Sequence, residues 1–201
     1  PSTSPSVYCS LPLIGFESMS LPFYINSNDF EPATERTSLY LKKKRYEIRT
    51  NEETDEEEVF YLQSGINWSI FERSLSLYES VVDYLIDNGY NKRYNLINGL
   101  GNILNGAWGV ETKNCLASRF ILPLRNMLVQ KNLVKTSEGY RSINSDVKFV
   151  ECSKDCDLHD FYEICKTIYG NNLAIEDENE NWVALKWGRF TFESEFDEKK
   201  V

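Results

Sequence analysis

The chain has 201 residues, enough for one large core or two small ones, and its 41% hydrophobic and 26% charged residues are ordinary for a globular protein. A net charge of −9 argues against a non-specific nucleic-acid binder, whose affinity comes from neutralising phosphates, although a local basic patch survives such a sum. No apolar run approaches the roughly 18 residues of a membrane span, and no signal-peptide pattern opens the chain.

The first residue is Pro1 rather than Met, so the sequence is expected to be cut from something longer, and residues 1–6 read as linker. Residues 7–13 alternate loosely and predict a strand, interrupted by Gly15. Residues 21–26 predict a second strand, and a polar loop follows that holds Phe30, Pro32, Glu35 and a single arginine, Arg36. Residues 38–49 predict one or two short strands with the basic run Lys42-Lys43-Lys44-Arg45. An acidic loop over 50–57 leads into a short apolar segment, 59–62.

Then the period changes. Trp68, Phe71, Leu75, Tyr78, Val82 and Leu85 follow one another in steps of three and four, which predicts an amphipathic helix with Asn67 as N-cap and Gly89 just past its end. Two glycines weaken the case for a helix over 92–104. A second strong helix is predicted over 115–131, with Pro123 inside it to kink or restart it. A hairpin is predicted around Ser137-Glu138-Gly139, and a further strand over 147–150. Asp157 predicts the cap of a helix carrying Leu158, Phe161, Ile164, Cys165 and Ile168 on one face, ended by Gly170; Trp182, Leu185 and Trp187 predict a last short element. The expected class is α+β: a mixed sheet backed by helices over 7–150, then a smaller, mainly helical extension over 151–201.

Chemical motifs are mostly absent. The chain holds no phosphate-binding glycine loop, no dinucleotide fingerprint, no zinc-protease helix and no nucleophile elbow. The five cysteines and absent leader suggest reduced thiols in a cytoplasm. Cys152, Cys156, His159 and Cys165 sketch a zinc site, but all are crowded into one short stretch rather than split into two ligand pairs; buried thiols and an exposed helical histidine are the plainer reading, and metal is not expected. Nor does His159 have a recognisable nucleophile or orienting partner. The residues by themselves therefore point to a body that binds, couples or scaffolds.

Cys9, Pro12-Leu13, Gly15 and Glu17, then Leu21-Pro22-Phe23, Ile25-Asn26-Ser27, Phe30, Pro32 and Glu35-Arg36, form an ordered set. That set resembles the region following the nucleotide-binding domain in sacsin-like, heat-shock-chaperone-like ATPases of the GHKL superfamily, where comparable strands precede a long helix. The match is direct over about residues 7–41 and looser to about 150. The nucleotide-site motifs of that superfamily do not occur in this chain, so the resemblance is to the middle, or transducer, region. It implies a β-α-β unit and a coupling role: sensing ATP, bound with Mg in a neighbouring domain of the same chain, and passing that state to a client or partner, with room for a homodimer. It implies no hydrolysis by this region alone. Arg36 would reach the γ-phosphate as a sensor, with Asn26 as a second cofactor-binding residue; the spacing between them is longer than in chaperone relatives. Against this stand plainer readings, of Arg36 paired with Glu35 or Glu31, and of Asn26 as a turn residue bonding its own backbone. Lys42 to Arg45 either face a phosphate or acidic partner, or charge a strand edge against pairing. The alternative for the whole chain is a stand-alone protein–protein interaction module without catalysis. No direct nucleic-acid or membrane contact is expected.

Overall fold

A computed structural model describes residues 5–16, 19, 21–33, 38–50, 57–98, 109–151 and 157–189. The class is mixed α+β, with the strands divided among small sheets. The chain forms two compact units that are interleaved in sequence: residues 1–80, 101–123 and 192–201 make the first, and residues 81–100 and 124–191 the second.

In the first unit, the predicted strand over 7–13 breaks at Ser10. That residue adopts φ 60°, in the left-handed region, and the chain turns back so that β1 (Val7–Cys9) pairs antiparallel with β2 (Leu11–Pro12). Of the predicted strand over 21–26 only β3 (Ile25–Asn26) forms, parallel to β1. β4 (Tyr46–Thr50) and β5 (Glu57–Tyr61) form a separate antiparallel hairpin with Tyr46 opposite Tyr61. The long helix α1 (Gln63–Asp87) begins before Asn67, its predicted cap. The first turn closes instead on Leu62, whose carbonyl accepts from the N–H groups of Gly65 and Ile66. Phe71 on α1 is the centre of the first core: its ring lies 4.9 Å from Phe120, 5.6 Å from Phe30, 5.9 Å from Trp68 and 6.5 Å from Phe16. All five aromatic side chains are buried.

In the second unit, α1 ends as predicted at Gly89, with φ 75°. Gly89 N–H donates to the Ile86 carbonyl and Tyr90 N–H to that of Leu85, the paired bonds of a Schellman stop. The expected helix over 92–104 is reduced, among the described residues, to one 3-10 turn at Arg93–Leu96. The second strong helix appears as α2 (Val110–Leu116) and a π-helical segment (Ala117–Ile121), which belong to the first unit, followed by α3 (Leu122–Gln130), most of which belongs to the second. The expected hairpin forms from β6 (Asn132–Thr136) and β7 (Gly139–Ser142), with Gly139 at φ 121°. A bulge between Asn132 and Val134 turns Leu133 and Val134 both inward. The further strand expected over 147–150 is only a bridge, Lys148 to Leu173, and Ala174 bridges in turn to Thr136. Asp157 caps α4 (Leu158–Tyr169) as expected, accepting from the N–H groups of His159 and Asp160. The last element, α5 (Glu178–Arg189), is locked by Trp187, fully buried, whose indole N–H donates to the Ile97 carbonyl at 2.6 Å. Arg125 donates to the carbonyls of Trp187 and Gly188 near the end of α5, where cations suit the helix dipole.

Candidate functional site: a braced loop and a cationic strap

The polar loop that carries the family-like residues is held at its base. Pro32 bridges to Leu39, and the Ala33 N–H donates to the Ser38 carbonyl at 2.9 Å. Arg36, the expected phosphate sensor, lies between these anchors but outside the described residues. Asn26 is exposed at the end of β3, paired with Tyr8 of β1.

The brace is Asn67. It is fully buried, and its Oδ1 accepts from the Glu31 N–H at 2.8 Å while its Nδ2 donates to the carbonyls of Glu31 at 2.9 Å and Tyr40 at 3.1 Å. One side-chain amide thus ties the two limbs of the loop to α1. A cap residue would have bonded its own helix; this one satisfies backbone groups far away in sequence.

Beyond Tyr40 the chain runs back along the start of α1 as an irregular strap, Lys42 to Arg45, bent at Lys43, which precedes β4 and is not the strand edge weighed from sequence. Its four successive carbonyls all have donors. Lys42 O accepts from the Trp68 indole N–H at 3.1 Å, Lys43 O from Arg119 at 3.3 Å, Lys44 O from the Ser64 hydroxyl, and Arg45 O from the Leu62 N–H at 2.9 Å. Gly65 makes this approach feasible, because a Cβ there would stand 2.2 Å from the Arg45 carbonyl oxygen. Arg45 pairs with Glu72 of α1, and the Arg119 guanidinium lies 5.4 Å from the centre of the Trp68 ring.

Leu39 and Leu41 are buried, while Tyr40, Lys42 and Lys44 line an open groove of roughly 680 Å³ together with Phe60, Tyr61 and Ile66. Lys42 and Lys44 are exposed, and Lys44 reaches Glu47 at 3.4 Å. Arg49 beside Glu47, more than Lys44, holds that carboxyl below the usual carboxylate range.

The other sequence candidates do not converge. Cys152 and Cys156 lie outside the described residues. Cys165 is buried, and His159 is exposed with its ring Nδ1 about 3.0 Å from Glu176. The two sit six positions apart on α4, roughly 120° around a helix and not on one face. Among the described residues, no group of three or more His, Cys, Asp or Glu side chains comes together as a metal site would require. Cys115 is buried, and burial pushes its thiol up, away from the reactive thiolate. Of the tryptophans taken as core or interface residues, Trp68 and Trp187 are buried, Trp182 is exposed, and Trp108 lies outside the described residues.

No family model, curated protein or solved structure matches the chain. The site therefore rests on its own geometry. It offers exposed lysines on a hydrogen-bonded backbone beside partly exposed aromatic side chains, which suit binding. Sequence reading missed Asn67, Ser64 and Gly65 as braces. Their signal was present, since a serine, a glycine and an asparagine in the first turns of a strong helix are poor helix formers without another task.

Proposed function

We propose that this chain is the coupling region of a chaperone-like GHKL ATP-binding protein, one that senses nucleotide in a neighbouring domain and transmits its state to partner binding. The observation that supports this reading is the braced loop. The family-like series from Leu21 to Arg36 runs into a loop closed at its base by the Pro32–Leu39 bridge and tied to α1 by Asn67. A loop anchored at its base suits a segment that must act on a neighbouring domain in a fixed register. ATP and Mg would be held by the neighbouring domain, and this chain would contribute the Arg36 guanidinium to the phosphate, with Asn26 as a second contact. We expect Arg36→Ala to slow ATP turnover by at least about tenfold in the full protein, measured by phosphate release. Unchanged turnover would remove Arg36 from the mechanism.

A second reading, a protein–protein interaction module without an ATPase, is favoured by the β4–β5 hairpin. Tyr46, Ile48, Val59, Phe60 and Tyr61 all stand exposed on it. Nucleotide binding by the full protein separates the two: ATP bound and hydrolysed supports coupling, and its absence leaves the module.

A further inference from the structure

The groove beside the strap supports an inference that does not rest on the coupling reading. Two lysines against one carboxylate, Glu31, line the groove, on a chain whose net charge is −9; Lys44 also reaches Glu47, at 3.4 Å on the exposed surface, while that carboxylate is shared with Arg49. The lysines project from a backbone already fixed by four accepted hydrogen bonds, so little main-chain freedom is left to lose on binding. Phe60 and Tyr61 stand 47% and 63% exposed in the same groove, with the Arg49 guanidinium 3.8 Å from the centre of the Phe60 ring, so a further cation joins a large apolar surface that is still partly in water. Charge complementarity selects the occupant. A basic segment is repelled by Lys42 and Lys44, a purely apolar one leaves their field unused, and a purely anionic one leaves the aromatic wall wet.

We propose that the groove binds an acidic segment of a partner protein, placing carboxylates on Lys42 and Lys44 and an aromatic or large aliphatic side chain against Phe60 and Tyr61. The aromatic contact holds the segment, and the lysines set its polarity and its rate of arrival. Lys42 and Lys44 both line this groove, so one segment can meet the two together.

The test uses the full chain and a fluorescein-labelled synthetic peptide, Glu-Glu-Ser-Phe-Glu-Ser-Phe-Glu, followed by fluorescence anisotropy. A counterpart with Lys in place of every Glu serves as control. Saturable binding of the acidic peptide is expected, at least about tenfold tighter than that of the basic one. Lys42→Glu with Lys44→Glu should weaken the acidic peptide at least about tenfold and improve the basic one, a charge swap that mere unfolding cannot produce. Phe60→Ser, at an exposed position, should weaken the acidic peptide with all charges kept. Absence of saturable binding, equal affinity for the two peptides, or indifference to the double charge reversal would overturn the proposal. So would binding of phosphatidylserine vesicles or single-stranded DNA that depends on the lysines but ignores Phe60→Ser, because the occupant would then be an anionic surface.

Discussion

Asn67 and Gly65 show how single residues of α1 fix the loop and strap. Asn67→Ala would leave the Glu31 N–H and the carbonyls of Glu31 and Tyr40 without their partner at a fully buried position. We expect a loss of about 2–4 kcal/mol, read from urea denaturation, because several unpaired polar groups cost more than one hydrogen bond. Asn67→Asp is expected to fare no better. It keeps an acceptor for the Glu31 N–H but turns a second oxygen towards two carbonyls and brings a buried charge. Gly65→Ala tests the strap from the other side. Its Cβ would meet backbone and not the end of a flexible side chain, so the Arg45 carbonyl must move and its bond to the Leu62 N–H must give. A loss of about 1–3 kcal/mol is expected in the same assay, against the slight gain that alanine brings at an unhindered helix position. A stability equal to that of the parent chain would show that the strap is not held this closely.

At the scale of elements, Pro123 was legible as a disturbance but not in its form. Proline cannot donate to the carbonyl one turn back, and its ring crowds that turn. The helix answers by widening rather than stopping: Leu122 N–H reaches back to the Ala117 carbonyl across a π-turn, and α3 continues from there. In α4 the cap and the glycine stop follow sequence rules, with Asp157 at one end and Gly170, φ 55°, at the other. Its expected apolar face is a different matter. Cys165 is buried, whereas Phe161, Ile164 and Ile168 are exposed at 38%, 59% and 68%. Periodicity shows that a face exists, not that anything covers it. On the same helix, the hydrogen bond and charge of Glu176 hold the His159 imidazolium to a pKa above the ordinary 6.5. Because the folded-state value is raised, the pair favours the fold below the unfolded value and that contribution is lost as pH rises through the folded one. Titration followed by NMR should place His159 above 6.5, and Glu176→Gln should bring it back towards that value. A histidine indifferent to Glu176→Gln would show that the ion pair does not form.

For the molecule as a whole, the sequence by itself determined the class, the long helix and its stop at Gly89, the hairpin at Ser137-Glu138-Gly139 and the cap at Asp157. These are local. They follow from residue periodicity, from the backbone freedom of glycine and from a carboxylate within reach of neighbouring N–H groups. The sequence also showed that the acidic balance is broken by one basic run. It could not show what that run faces. Read alone, Lys42 to Arg45 suited a charged strand edge better than a binding face, because a run of charges does not show what lies against it. Tertiary structure decided that question. Trp68, Arg119, Ser64 and Leu62 take the four carbonyls of the run, Gly65 admits it against α1, and Lys42 and Lys44 are left to line an aromatic groove. The same distinction recast Asn67 from helix cap to loop brace. Its partners at Glu31 and Tyr40 are distant in sequence, and a hydrogen bond between such segments exists only once packing has brought them together.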